Sequence, residues 1–310
     1  MALKANKILP AAIKLCISSA LLYFIFARTG LTEILRTLGG INIFAFIAAI
    51  FLYLLAQLIS TLRWKLLLPG GFGLKKLFSL YMIGAFFNSF LPGIIGGDAI
   101  KGFYLYKTTG KVGLALASVF MDRYLGLVVL IAICAVAFPF GYQYLHGTNI
   151  AWVLLSVILS FIIGSFLFFG LRIGKQIKHL ADLYNYFHIY RNERGTIGKA
   201  LLLSVFVQLA GFSAVYILAQ GLGQNIPFLS LFIYLPLIIL VSMIPISISG
   251  LGVREGAFVL FFGFIGVKPE AATAISLSWF ISASVGSLIG LIEYVKFKKE
   301  ENGIPIQEDQ

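Results

Sequence analysis

The chain has 310 residues, of which 60% are hydrophobic and 12% charged, and its formal net charge is +12. Soluble domains carry about 25% charged residues, so an ordinary soluble fold is excluded and the apolar length suffices for roughly six to nine membrane crossings. Because Lys and Arg cluster between apolar segments, the basic excess points to membrane topology and anionic headgroups, not to a nucleic-acid partner.

The N-terminus places Lys4 and Lys7 before an apolar run that reaches Ala27. A signal peptide has this outline, but the run is long and lacks a small-residue cleavage site, so 8–27 reads as a span. A second span, 41–62, is followed by Arg63-Trp64, which reads as a snorkelling cation beside an interfacial Trp. Residues 77–106 are apolar but broken by NSFLPGIIGGD at 88–98. The third span, 112–140, carries Asp122 and Arg123 side by side. Spans at 150–171 and 200–222 flank a polar stretch. Residues 228–267 are broken in turn by PISISGLGVREG at 245–256, and 271–295 is the last span. The expected fold is an all-α polytopic membrane protein with about six full spans and two interrupted, re-entrant helical hairpins, an arrangement open to an inverted repeat. One transmembrane domain covers 1–299, and 300–310 form a short polar tail.

Charge sets the orientation. Lys4, Lys7, Arg63, Lys75, Lys107, Arg172, Lys199 and Lys298 fall on alternate loops or termini, whereas 142–149 and 223–227 hold no Lys or Arg. The positive-inside rule then puts both termini in the cytoplasm of a cell membrane. Arg28 and Arg36 are exceptions on an outer loop. Residues 77–106 have basic groups at both ends and read as a hairpin from the cytoplasm that turns at 92–97. Residues 228–267 begin and end outside, as an opposite hairpin or as two crossings joined at 248–254. Parity does not decide, but 254–267 is short for a span. The breaks share a spacing, Pro92, Gly97 and Lys101 against Pro245, Gly250 and Arg254, which chance explains equally well.

Irregular backbone at membrane depth needs cover from protein or a water-filled cavity, and paired broken helices point to a transporter's substrate site. Asp122 lies about 15 Å into its segment, where ionisable groups are costly and demand partners. Adjacent residues on a helix diverge by about 100°, so Asp122 and Arg123 are expected to be buried and paired with different segments. A helix beginning nearer Ser118 would leave both merely interfacial. Asp98 and Lys101 share a helical face after the first break, and Arg254 and Glu255 follow the second. These charges could hold a headgroup phosphate beside free helix N–H groups, or pair with Asp122 and Arg123. Asn88, Ser89, Ser247 and Ser249 either bind a headgroup or cap helix ends. Pro92, Gly96, Gly97 and Gly250 shape the turns. Scattered His146, His179 and His188, with Cys16 and Cys134 in apolar sequence, suggest no metal, and no nucleotide fingerprint suggests a cofactor. Asp98, Asp122 and Glu255 keep a membrane transferase as an alternative.

GAFFNSFLPGIIGGD at 84–98, Arg63-Trp64, SVFMDR at 118–123 and SGLGVREG at 249–256 together resemble the lysylphosphatidylglycerol synthase transmembrane, or flippase-like, family over nearly the whole chain. That family includes the flippase domain of the multiple peptide resistance factor, which moves aminoacylated phosphatidylglycerol outward. The resemblance implies a carrier for an anionic, aminoacylated or polyprenyl-linked lipid. It also leaves room for a non-catalytic partner of a separately encoded lipid-modifying enzyme, with oligomeric state open. In full-length synthases a soluble C-terminal domain transfers the amino acid. Here the sequence ends at Gln310, so the expectation is a chain without that domain. Lys101 stands where many members carry Arg, keeping charge but losing bidentate geometry.

Overall fold

The computed structural model describes residues 2–90, 96–141, 150–171 and 194–302, and every regular element among them is helical. Pro92, the loops expected at 142–149 and 172–193 with their three histidines, and 303–310 lie outside the described residues. Long apolar runs without breakers become helices because only a helix satisfies its own backbone in lipid. The elements are α1 (Ala2–Thr29), α2 (Leu31–Gly39), α3 (Ile43–Leu66), α4 (Leu74–Phe90), α5 (Gly96–Thr109) and α6 (Val112–Ala137). They continue with α7 (Ile150–Ser165, extended by a π turn over Phe166–Gly170), α8 (Arg194–Gly221), α9 (Phe228–Ser242), α10 (Val253–Gly263) and α11 (Pro269–Asn302).

Among the described residues, five helices are long and apolar enough to cross a membrane, and a sixth span arises if α1 and α2, bent by 85°, count as one. The chain is a multi-pass, all-α membrane protein. The bend falls at Gly30, whose φ of 82° favours glycine. All six expected spans therefore coincide with helices.

The two broken regions became pairs of short helices. α4 and α5 have 17 and 14 residues, α9 and α10 have 15 and 11. At 1.5 Å per residue none exceeds about 26 Å, short of the roughly 30 Å hydrocarbon core. These lengths favour a hairpin over two complete crossings for 228–267.

α11 serves as a ruler for how the hairpins enter. Near its start, Ala271, Ala272 and Ile275 share a buried core with Phe258, Phe262 and Val267 at the base of α9–α10. Near its other end, Tyr294 meets Phe87 at 5.2 Å and Phe297 meets Tyr104 at 4.8 Å. The hairpins thus enter from opposite ends of the bundle and their tips meet in its interior. Small residues permit that depth. A Cβ on Gly97 would overlap the Gly84 carbonyl, and one on Gly290 would overlap that of Met82, so α4 packs backbone-to-backbone on α5 and α11.

Candidate functional site

At the first break, the Asn88 side chain of α4 reaches across to the start of α5, and its Oδ1 accepts the Gly97 N–H at 3.0 Å. The outgoing helix caps the returning one. Ser89 turns back, donating to the Ala85 carbonyl at 3.1 Å. The second break is wound through the left-handed region, with φ of 49° at Ser249, 77° at Gly250 and 83° at Gly252. Glu255 Oε2 accepts the Gly252 N–H at 2.6 Å and fixes the start of α10. The two tips touch, since Ser249 Oγ donates to the Asn88 carbonyl at 3.1 Å. α1 closes the other side, where Ser18 Oγ accepts the Ile248 N–H at 2.8 Å. These bonds satisfy open backbone N–H groups at Gly97, Ile248 and Gly252, while 243–246 stay exposed.

Four helices converge on one carboxylate. Asp122 of α6 is fully buried and accepts from Arg63 Nε of α3 at 2.8 Å, Tyr81 OH of α4 at 2.9 Å and Lys101 Nζ of α5 at 3.1 Å. Arg63 Nη1 also donates to Ser204 Oγ of α8 at 2.8 Å. The Lys101 ammonium rests over the rings of Trp64 at 4.6 Å and Tyr81 at 4.2 Å, a cation–π arrangement. Because α6 runs unbroken from Val112, the alternative of a helix starting near Ser118 falls. The reading of Arg63-Trp64 as an interfacial anchor is corrected as well. Both are buried, because α4, α6 and α8 pack around the end of α3 and Asp122 compensates the charge. Trp64 Nε1 donates inward to Ser118 Oγ at 3.2 Å.

Arg123 points elsewhere. Its Nε and Nη2 grip Asp98 of α5 at 2.7 and 3.0 Å, a two-pronged charge-assisted pair. Separate partners for Asp122 and Arg123 are thus observed, but burial of both is not: the Arg123 side chain is 52% exposed, against 16% for Asp98. Arg254 and Glu255 pair with each other at 2.7 Å instead of with Asp122 and Arg123, and Ser276 of α11 donates to Glu255 Oε1 at 3.0 Å. The Arg254 guanidinium lies 4.6 Å from the Phe280 ring centre. The shared spacing of the breaks has no common geometry, since Gly97 lies inside α5 and Gly250 precedes α10 at positive φ.

A cavity of about 560 Å³ opens where the tips and these charges meet. Arg63, Lys101, Arg123 and Arg254 line it together with Asp98 and Asp122, and Glu255 pairs with Arg254 from behind the lining. One positive charge is left over.

Residues 11–290 match the family described as the lysylphosphatidylglycerol synthase TM region. The chain belongs to this family. It is similar to a UPF0104 membrane protein of Methanocaldococcus jannaschii, 24% identical over 325 positions that cover 95% of this chain and 97% of that one. UPF0104 membrane proteins of Pyrococcus horikoshii and Methanothermobacter thermautotrophicus are each 23% identical over 87% of this chain, covering 92% and 88% of theirs.

In this member of the lysylphosphatidylglycerol synthase TM family, most residues singled out from sequence border the cavity: Arg63, Asn88, Ser89, Asp98, Lys101, Asp122, Arg123, Ser249 and Arg254. Trp64, Gly96, Gly97, Gly250 and Glu255 stand behind that lining, as packing, turn or capping residues. Sequence reasoning missed Tyr53, Gln57, Gln208, Trp279 and Phe280, which also line it. For Gln57 and Gln208 a signal existed, since each is an amide well inside an apolar span and such groups seek a polar interior. The aromatic residues gave none among so many others.

Proposed function

We propose that the protein translocates a lipid across the bilayer, its headgroup passing through the cavity between the hairpin tips while the acyl chains stay in hydrocarbon. One observation carries the reading: a cavity whose wall carries several charged side chains, with a positive excess, lies where two opposed broken hairpins meet, the plan of many transporters. A headgroup that is anionic, aminoacylated yet phosphate-bearing, or attached through phosphate to a polyprenyl chain suits that charge. The transferase alternative has less support, because each candidate carboxylate is already engaged. Asp122 accepts from three side chains, Glu255 from Arg254, Ser276 and the Gly252 N–H, and Asp98 from Arg123. A base held by cations is a poor proton acceptor.

Purified protein in liposomes with fluorescent short-chain lipids tests the reading. Movement of unmodified phosphate-bearing lipid between leaflets is the expected result. A chemically altered lipid would instead favour a transferase, and movement only after adding a lipid-modifying enzyme would favour a partner role.

A cell-membrane location with cytoplasmic termini belongs to the same proposal and follows from the basic clusters. In a background with Cys16 and Cys134 replaced, His146→Cys is expected to label from outside intact cells and Asn185→Cys to be spared. The reverse pattern would invert the orientation.

A further inference from the structure

We infer that Asp98 is an internal stand-in for the ligand's phosphate: an arriving phosphate takes the Arg123 donors that Asp98 occupies, and Asp98 falls back on Lys101 and the start of α5. The inference rests on the translocation reading and assigns the phosphate subsite within that cavity. Three features of the geometry carry it.

The first is the match of shape. Asp98 presents two oxygens to Nε and Nη2 at 2.7 and 3.0 Å, the fork that a phosphate also satisfies. The second is accessibility. Arg63, Asp122 and Arg123 all border the cavity, but Arg63 and Asp122 are buried whereas the Arg123 side chain is 52% exposed. Both members of the pair border the cavity, so a ligand that enters it reaches them directly. The third is a fallback for the displaced carboxylate. Asp98 lies in the first turn of α5, where the helix N-terminus favours negative charge. Lys101 Nζ is already 4.0 Å away on the same face. No carboxylate is stranded when the phosphate binds.

Arg254, the cation of the other tip, lacks this freedom. Glu255 is fully buried and tied to the Gly252 N–H and Ser276 as well as to Arg254, so it does not yield to a competitor. Exchange is confined to the first tip, where Arg63, Lys101 and Arg123 outnumber Asp98 and Asp122 by one, whereas Arg254 stays neutralised by Glu255.

An internal competitor sets affinity and release together. Removing it tightens the bound state and slows departure, so Asp98→Asn is expected to bind a phosphate-bearing lipid about tenfold more tightly, the scale of one charged hydrogen bond, and to translocate it more slowly. Arg123→Lys keeps the charge, loses the fork and weakens binding.

The test uses the purified full chain and fluorescent short-chain phosphatidic acid, with short-chain diacylglycerol as a phosphate-free control. Tighter phosphatidic acid binding by Asp98→Asn, with diacylglycerol unchanged, is the expected result. Equal or weaker binding by a variant that melts like the wild type overturns the exchange. Should that variant melt lower, infrared difference spectra of wild-type protein with labelled aspartate decide: phosphatidic acid shifts a carboxylate band if Asp98 is released, and no shift overturns it. Inorganic phosphate at the same concentration is expected to displace the lipid poorly. Equal displacement would support the exchange but overturn a lipid as the ligand. Translocation without exchange defeats only this inference, and exchange without translocation defeats only the functional reading.

Discussion

The two hairpin tips are written in similar sequence and solve their charge problem in opposite ways. Each has a break rich in Gly and small polar residues, followed by an acidic and a basic residue. At the first tip the charges reach outward. Lys101 goes to Asp122 on α6 and Asp98 to Arg123 on the same helix, and through Asp122 the hub extends to Arg63 and Tyr81. At the second tip Arg254 and Glu255 close on each other, with help from Ser276 and the Gly252 N–H. One tip is fastened to its surroundings by ion pairs to another helix. The other is a self-contained plug, held against α1 and α11. The difference teaches that a charged residue beside a broken helix reports a need for compensation without saying where it is met.

The largest effect that could break this comparison is expected at the hub. Asp122→Ala leaves Arg63 buried without a counter-charge and Lys101 with only Asp98 at 4.0 Å, and is expected to cost about 3–5 kcal/mol, with Asp122→Asn less damaging because it still accepts hydrogen bonds. Folded yield and unfolding in mixed micelles measure this, and an unchanged Asp122→Ala would remove the hub from the account. Next, Glu255→Gln keeps an acceptor for the Gly252 N–H and Ser276 while losing the charge. A loss of about 2 kcal/mol, confined to α9–α10 in hydrogen exchange, is expected. Protection lost equally in α4–α5 would show that the second tip is not self-contained.

A pair of glycine substitutions sharpens the contrast further. Gly97→Ala drives a Cβ into the Gly84 carbonyl and Asn88, an overpacking expected to cost about 1–3 kcal/mol and to part α4 from α5. Gly250→Ala meets nothing nearer than the Ser242 carbonyl at 3.3 Å but must hold φ of 77°, for about 1–2 kcal/mol. Gly250→Asn is expected to recover part of that loss and Gly97→Asn none, because only the former is a backbone problem. The smallest effect belongs to the contact between the tips. Ser249→Ala removes one hydrogen bond to the Asn88 carbonyl and is expected to lower stability by about 1 kcal/mol or less. A larger fall would mean that the tips are coupled more strongly than this one bond allows.

The sequence by itself determined the all-helical membrane architecture, the six spans and the two breaks, because span length and helix-breaking residues are local properties of the chain. It also determined that Asp122 and Arg123 seek different partners, since adjacent side chains diverge on a helix. It did not choose those partners. Arg63 is 59 residues from Asp122 and reads alone as an ordinary anchor. Lys101, expected to face a headgroup, borders the cavity but is buried and held by Asp122, Trp64 and Tyr81, which leaves Arg123 as the more exposed cation of the first tip. Arg254 and Glu255 satisfy each other because Ser276 and the Gly252 N–H hold the carboxylate in place. Only the packing of opposed hairpins against α11 brought Asn88 to Ser249 and enclosed the cavity. The cost of burying a charge says that a counter-charge must exist, but which one comes within 3 Å depends on how distant helices pack.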